Sequence, residues 1–327
     1  MRIVLCYPVE PKHIAQIQAV VPEAEIKSAS QQSIADDIFG ADIFCGHSKE
    51  RPIPWDEVVR EGKLRWIQSS AAGLDHCLVP VVVAADDIIV TSASGVLADQ
   101  VAEQTMALLC GLLRSLPTFF RAQQKHEFIR RPTRDLHRQT IGIIGFGGNG
   151  RRLAEVLRPY RGKIIATDWF PTDKPNTVDE LWPAERNEEL MALSDILILA
   201  APLTDKTRGM LNARTISSMK MNAVVVNVAR GKLIVERDMI AALQAGKLAG
   251  FATDVTETEP LADESPLWDL PNVIITPHVG GQSKWRIDDM TDFFCENLRR
   301  RLANRPLVNL VDKRLGFPAW TPRDRNA

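Results

Sequence analysis

The sequence predicts an α/β protein of two doubly wound, parallel-sheet domains, and three observations lead there. At 327 residues, 45% of them hydrophobic, the chain exceeds one ordinary domain and carries enough apolar surface for two cores. Short apolar runs alternate with amphipathic or polar stretches, the pattern of strands joined by crossover helices. A G-x-G-x-x-G turn, Gly145-Phe146-Gly147-Gly148-Asn149-Gly150, directly follows one of those runs.

The first unit is read from apolar runs at 2–6, 41–45, 64–68 and 88–91, each short enough for a strand and separated by helix-forming stretches. From 99 to 116, Ala102, Thr105, Met106, Leu109, Leu112, Leu113 and Leu116 recur at spacings of three and four, which predicts one long helix ending before Pro117. A second unit opens at 140–144, with further strands expected at 163–167, 196–200, 223–228, 250–253 and 272–276. Their near-continuous apolar character suits a parallel sheet covered on both faces. After His278, Ile287, Met290, Phe293, Phe294, Leu298 and Leu302 again follow helical spacing. This predicts a return helix, with the C-terminal chain repacking on the first domain and a polar tail after Trp320. The expected domains are 1–97 plus 285–327, and 98–284.

Composition excludes several classes of function. A formal net charge of −1, from 40 Lys+Arg against 41 Asp+Glu, offers no general attraction to nucleic acid or acidic lipid. The five cysteines, Cys6, Cys45, Cys77, Cys110 and Cys295, are odd in number and never form C-x-x-C, which argues against a disulfide framework or zinc site. His13, His47, His76, His126 and His137 have no ligand-like spacing, so no metal is expected. Arg130, Arg131, Arg134 and Arg138 read as a solvated surface. Residues 1–7 lack the long apolar core of a signal peptide, and no run is long enough to span a bilayer. A soluble cytoplasmic protein is the expectation.

The glycine run combines three uses of a missing side chain: Gly145 for a tight turn, Gly147 for close approach of a pyrophosphate, and Gly150 for strand–helix packing. The N-terminus of the helix that follows stabilises phosphates, with Gly148 and Asn149 in its first turn. Asn149 is polar where an aliphatic residue is commoner. Asp168 ends the next strand 168 − 150 = 18 residues beyond the last glycine, where a carboxylate accepts from the adenosine ribose and repels a 2′-phosphate. Trp169 and Phe170 follow it rather than an arginine, so NAD is expected over NADP.

Three later residues have contexts that suit catalysis: Arg230 in Asn227-Val228-Ala229-Arg230-Gly231, Glu259 in Asp254-Val255-Thr256-Glu257-Thr258-Glu259-Pro260-Leu261, and His278 in Thr276-Pro277-His278-Val279-Gly280-Gly281. A cation can hold a carboxylate, an imidazole can pass a proton to a carbonyl oxygen, and a carboxylate beside it can orient the ring. Singly, each reads equally well as a turn or loop residue. Together, with those flanks, they describe reduction of a 2-oxo acid.

With these runs, and with Ala71-Ala72-Gly73-Leu74-Asp75, Val101-Ala102-Glu103, Pro202-Leu203-Thr204 and Met219-Lys220, the chain resembles the D-isomer-specific 2-hydroxyacid dehydrogenase family over most of 65–310. The resemblance implies a flavodoxin-like substrate domain and a Rossmann dinucleotide-binding domain with an active-site cleft between them. It implies that Arg230 binds the substrate carboxylate and carbonyl, that Glu259 holds the imidazole, and that His278 is the general acid for reduction. It places Asp254 at the nicotinamide carboxamide, Pro202, Ala229 and Gly280 around the cofactor, and the backbone N–H groups near Ala72 and Gly73 on the substrate carboxylate. D-stereospecificity and a homodimer joined through the segment containing 99–116 are implied by the family alone. Ser92 stands where asparagine is frequent, and Ala200-Ala201-Pro202 lacks a histidine often found before that proline. Glu259 stands where formate dehydrogenases have glutamine. Small 2-oxo acids such as glyoxylate, hydroxypyruvate or pyruvate are the expected substrates, with 3-phosphoglycerate as the alternative, and a nucleotide-sensing corepressor as a reading of a different class. Side-chain selectivity is expected from 45–50 and from the neighbourhood of Trp285 and Arg286.

Overall fold

The computed structural model describes residues 1–318; the polar tail after Trp320 lies outside them. In chain order the elements are β1 (Arg2–Cys6), α1 (Pro11–Val20), β2 (Glu25–Ser28), α2 (Ile34–Asp37), β3 (Ile43–Gly46), α3 (Trp55–Glu61), β4 (Trp66–Ser69), α4 (Pro80–Ala84), β5 (Ile89–Thr91), α5 (Ala98–Leu113) and α6 (Leu116–Gln124). There follow β6 (Thr140–Ile144), α7 (Gly148–Leu157), β7 (Lys163–Asp168), β8 (Glu180–Pro183), α8 (Asn187–Leu193), β9 (Ile196–Leu199), α9 (Ala213–Ser218), β10 (Ala223–Asn227), α10 (Glu236–Gln244), β11 (Leu248–Thr253), β12 (Val273–Ile275) and α11 (Arg286–Leu302), with a small β13 (Val311–Asp312) and β14 (Phe317–Pro318) ladder last. Contacts divide the chain into one unit of Met1–Leu97 with the return from Ser283 onward, and a second of Ala98–Gln282.

The first unit carries a parallel five-stranded sheet in the order β2-β1-β3-β4-β5, the flavodoxin-like winding. Alternation along β1 sends Val4 and Cys6 into one apolar cluster with Phe44, Ile67, Val58 and Val82, and Ile3 and Leu5 into another with Ile43, Cys45, Trp66, Phe294 and Leu298. The sheet is therefore buried on both faces. The return helix α11 covers the second face with Met290, Phe293, Phe294 and Leu298, the i, i+3, i+4, i+8 stripe. Phe294 stacks at 5.4 Å on Trp66. Beneath it, Asn297 Nδ2 donates to Gln68 Oε1 (3.1 Å) and Val308 O (3.1 Å), while Thr91 Oγ1 donates to Gln68 Oε1 (2.7 Å) and accepts from Trp66 Nε1 (2.8 Å). These polar groups are buried at no hydrogen-bonding loss.

The second unit carries a parallel seven-stranded sheet, β12-β11-β10-β9-β6-β7-β8, in which β8 to β11 follow the Rossmann winding around β6. One face buries Leu197, Val225, Met239 and Phe251; the other buries Ile143, Leu153, Ile198 and Val226 against α5 and α7. Among the described residues no helix is long and apolar enough to cross a membrane.

Three details differ from expectation. The predicted single helix over 99–116 stops at Leu113; Ser115 takes φ 58°, and α6 starts afresh with Pro117 in its first turn. Proline removes no needed hydrogen bond there, so it starts the second helix rather than ending a longer one. The edge strands β2 and β8, Glu-Ile-Lys-Ser and Glu-Leu-Trp-Pro, were not foreseen. An edge strand pairs on one side only and tolerates charge and proline, which erases the apolar signal. The run at 92 is held by Asn309, whose Nδ2 donates to Ser92 O (3.0 Å) and Ser94 O (2.7 Å).

Candidate active site

The glycine turn leaves β6 with Gly145 at φ +92°, where a Cβ would stand 2.5 Å from Ala201 N. At Gly150 a Cβ would meet Gly145 O at 2.1 Å, whereas at Gly147 it would meet nothing within 4 Å. Two glycines thus close the turn and the middle one keeps space open, as a pyrophosphate beside the backbone requires. No side chain caps α7, and Gly148 and Asn149, both half-buried, form its first turn. Its leading N–H groups suit an anion.

Asp168, at the end of β7, accepts from Phe146 N (2.8 Å) through one oxygen and from Phe170 N (2.8 Å) through the other. The carboxylate is thereby locked onto the glycine turn. Sequence reasoning sought an arginine only directly after Asp168 and missed two cations that folding brings near. Lys206 lies 4.3 Å over the Trp169 ring, and the Arg151 guanidinium lies 4.9 Å over Phe146 and 3.3 Å from Asp173. Burial lowers the Arg151 pKa, and the charges of Asp173 and Asp168 oppose that shift.

The strand ends of β10 and β11 build the other half of the site. Asn227, fully buried, accepts from Ala229 N (3.1 Å) and donates to Arg230 O (2.9 Å), fixing the turn that presents Arg230. A Cβ on Gly231 would fall 1.9 Å from Thr256 O, so that turn passes directly against the chain beyond β11. Asp254, 3% exposed, accepts from Thr276 Oγ1 (2.6 Å), Val279 N (3.0 Å) and Gly280 N (2.7 Å), while its carbonyl accepts from His278 N (2.7 Å). Gln104 Nε2 in turn donates to Thr276 Oγ1 (2.8 Å). This carboxylate organises the whole turn at 276–280 and holds His278 at φ +55°, a region that costs a non-glycine residue energy.

His278 Nδ1 lies 2.8 Å from Glu259 Oε2, and the other Glu259 oxygen accepts from Thr256 N (3.3 Å). The Glu259-Pro260 peptide is cis. Both side chains are about two-fifths exposed, 43% for His278 and 41% for Glu259, so the pair is open to ligand. Arg230 is half-buried and its Nη1 donates to Ala229 O (2.8 Å). Pro202 is exposed beyond β9, and its carbonyl accepts from Thr207 Oγ1 (2.8 Å). Among the described residues no group of three His, Cys, Asp or Glu is arranged to hold a metal ion.

Ala72 and Gly73 belong to the first unit, in the turn after β4. Ser69 Oγ braces that turn, accepting from Ala71 N (3.0 Å) and donating to Ala71 O (3.0 Å). Among the described residues the N–H groups of Ala72 and Gly73 have no acceptor.

Residues 106–280 match the family described as "D-isomer specific 2-hydroxyacid dehydrogenase, NAD binding domain". This chain belongs to that family. It is an oxidoreductase that acts on the CH–OH of a hydroxyacid and uses a nicotinamide dinucleotide. Among relatives of the 2-hydroxyacid dehydrogenases, a glyoxylate reductase of Thermococcus kodakarensis is 32% identical over 246 residues, 72% of this chain and 73% of that protein. A D-3-phosphoglycerate dehydrogenase of Methanocaldococcus jannaschii is 30% identical over 312 residues, 93% of this chain but 58% of that longer protein. Among solved structures, the NADPH-dependent glyoxylate/hydroxypyruvate reductase of Sinorhizobium meliloti, in complex with NADP and sulfate, superposes with a TM-score of 0.81 at 27% identity, over 97% of this chain and 99% of that one.

Proposed function

We propose that this protein is an NAD-dependent dehydrogenase that interconverts a small 2-oxo acid and its D-2-hydroxy acid, with Arg230, Glu259 and His278 as its catalytic residues. The observation that carries the reading is the 2.8 Å contact of His278 Nδ1 with Glu259 Oε2. It commits one ring nitrogen to the carboxylate and leaves Nε2 to exchange a proton with substrate. When bound, the nicotinamide supplies the hydride for reduction. In reduction His278 gives the carbonyl oxygen its proton, and in oxidation it takes that proton back. Glu259 keeps the ring oriented. Arg230 holds the substrate carboxylate and polarises the carbonyl, and the unpaired N–H groups of Ala72 and Gly73 bind the carboxylate oxygens.

The glycine turn and the N-terminus of α7 hold the pyrophosphate, Asp168 takes the ribose, and Pro202, Ala229, Asp254 and Gly280 line the nicotinamide side. NAD is favoured because the fixed Asp168 carboxylate repels a 2′-phosphate; Lys206 and Arg151 weaken that preference without replacing it. In this reading 1–97 plus 285–327 bind substrate and 98–284 bind NAD. The preferred substrates are glyoxylate, hydroxypyruvate and pyruvate; the 30% identical phosphoglycerate dehydrogenase keeps 3-phosphoglycerate as the second choice. A homodimer in the cytoplasm is also proposed, because Leu116 (38% exposed), Phe120 (57%) and Phe128 (99%) leave apolar surface on and beyond α6 that a second copy would cover. Oxidation of NADH by a panel of 2-oxo acids tests the reading, and absence of turnover with every one of them rejects it.

A further inference from the structure

The network that fixes the turn at 276–280 does not end on Asp254. Its far end is Gln104, in the second turn of α5, a residue the proposed chemistry does not use. Gln104 Nε2 donates to Thr276 Oγ1 at 2.8 Å, and Thr276 Oγ1 donates to Asp254 Oδ1 at 2.6 Å. Asp254 passes the constraint on: its carboxylate accepts from Val279 N (3.0 Å) and Gly280 N (2.7 Å), and its carbonyl accepts from His278 N (2.7 Å). Gly280 runs against both side chains, since a Cβ there would meet Asp254 Oδ2 at 2.8 Å and Gln104 Cγ at 3.5 Å. All of these residues belong to the second unit.

Chemistry fixes the direction of these hydrogen bonds. A carboxylate only accepts, and a threonine hydroxyl carries a single hydrogen. Asp254 takes that hydrogen, so Thr276 can only accept from Gln104, and the Gln104 amide must turn its NH2 group toward it. A side chain at position 104 that could only accept would compete with Asp254 for the same hydrogen. What the site requires of Gln104 is therefore its N–H.

The helix that carries Gln104 is a firm base. Ala102, Leu108, Leu109 and Leu113 of α5 are buried in the core of the second unit. Against β12 and β11 the fit is close: a Cβ on Gly111 would meet Ile274 Cδ1 at 3.3 Å, and one on Gly250 would meet Leu112 at 2.9 Å. Gln104 thus acts on Thr276 from a fixed backbone. The turn needs such support, because His278 at φ +55° persists only where its surroundings over-determine it.

We propose that Gln104 is a positioning residue for the reduction: through Thr276 it orients Asp254, and through Asp254 it fixes the turn that presents His278. The inference rests on the dehydrogenase reading above and adds to it a residue that touches neither substrate nor proton. Its contribution lies in the donor it supplies, so replacements of equal size should differ by whether they can donate.

The test measures kcat and KM for the best 2-oxo acid, NADH affinity, and amide exchange across 276–280 by mass spectrometry. Gln104→Leu, which removes the N–H at similar volume, should lower kcat by about tenfold, the scale of one buried hydrogen bond left unmade, with KM and NADH affinity within about twofold. Exchange at Val279 and Gly280 should quicken. Gln104→Glu has the same size but draws the Thr276 hydrogen away from Asp254, so it should lose at least as much. Gln104→His, which still offers an N–H, should recover most of the activity. Thr276→Val should reproduce the loss, and adding Gln104→Leu to it should cost nothing more, because both act through one chain of bonds. A merely structural Gln104 would instead give additive losses and a lower melting temperature without regard to donor character. That pattern, or a parental kcat in Gln104→Leu even with quickened exchange, overturns the proposal and leaves the dehydrogenase reading standing. A parent protein that turns over no 2-oxo acid overturns both.

Discussion

The single residue with most at stake is His278, because Asp254 and Glu259 bear on it from backbone and side chain at once. His278→Ala should leave NADH affinity intact and cut 2-oxo acid reduction by about 10²–10⁴-fold, the range for losing a positioned general acid. Steady-state kinetics beside a separate NADH titration measures the two effects apart, and near-parental turnover would end the assignment. Glu259→Ala removes the only side-chain partner of Nδ1 among the described residues and frees the ring to turn, so kcat for reduction should fall while NADH affinity holds. Rescue of kcat by Glu259→Gln, which keeps a hydrogen-bonding group there, supports the orienting role; an unchanged kcat in the alanine variant contradicts it. Asp168→Ala should loosen NADH and raise relative use of NADPH, read as the ratio of the two kcat/KM values. Lys206 and Arg151 are already near that position, which makes a large change in the ratio the expected outcome.

At the scale of elements, the glycine turn between β6 and α7 separates fold from ligand binding. Gly150→Ala forces a Cβ to 2.1 Å from Gly145 O and must push strand and helix apart, so both melting temperature and NADH affinity should fall. Gly147→Ala points into open space, so the protein should keep its melting temperature while losing NADH affinity. Calorimetry and a fluorescence titration on the two variants distinguish these outcomes; equal melting losses would mean that Gly147 serves packing. The return helix offers a second contrast. Phe294 is fully buried against Trp66, and Phe294→Ala should destabilise the protein by about 3–5 kcal/mol in a denaturant titration.

For the whole molecule, burial on both faces of each sheet governs thiol chemistry. Burial pushes the Cys77 pKa up to about 12, and those of Cys6 and Cys295 up to about 11, while Cys45 is raised well above its ordinary value. All four should stay as unreactive thiols at pH 8, leaving half-buried Cys110 as the first site of alkylation. Mass spectrometry of iodoacetamide-treated native protein should find it modified before the others, with full labelling only in denaturant. Sedimentation at micromolar concentration tests the proposed pairing through α6; a stable monomer rejects it.

The repeated apolar runs, the glycine turn and the contexts of Arg230, Glu259 and His278 were all legible in the linear chain. They depend on local rules: strand and helix periodicity, the turn that glycine alone permits, and residue types close in sequence. The buried central strands and the return helix could be read for the same reason. The edge strands β2 and β8 could not, because half-paired strands need no apolar pattern, and the break at Ser115 could not, because proline suits the start of a helix as well as its end. Partners distant in sequence were beyond reach: Gln104 on Thr276, Asp254 beneath the turn at 276–280, Lys206 over Trp169, and His47 on His76. Those pairings exist only because parallel strands bring their carboxyl ends to one edge, so tertiary structure alone decided which side chains hold the reactive ones in place.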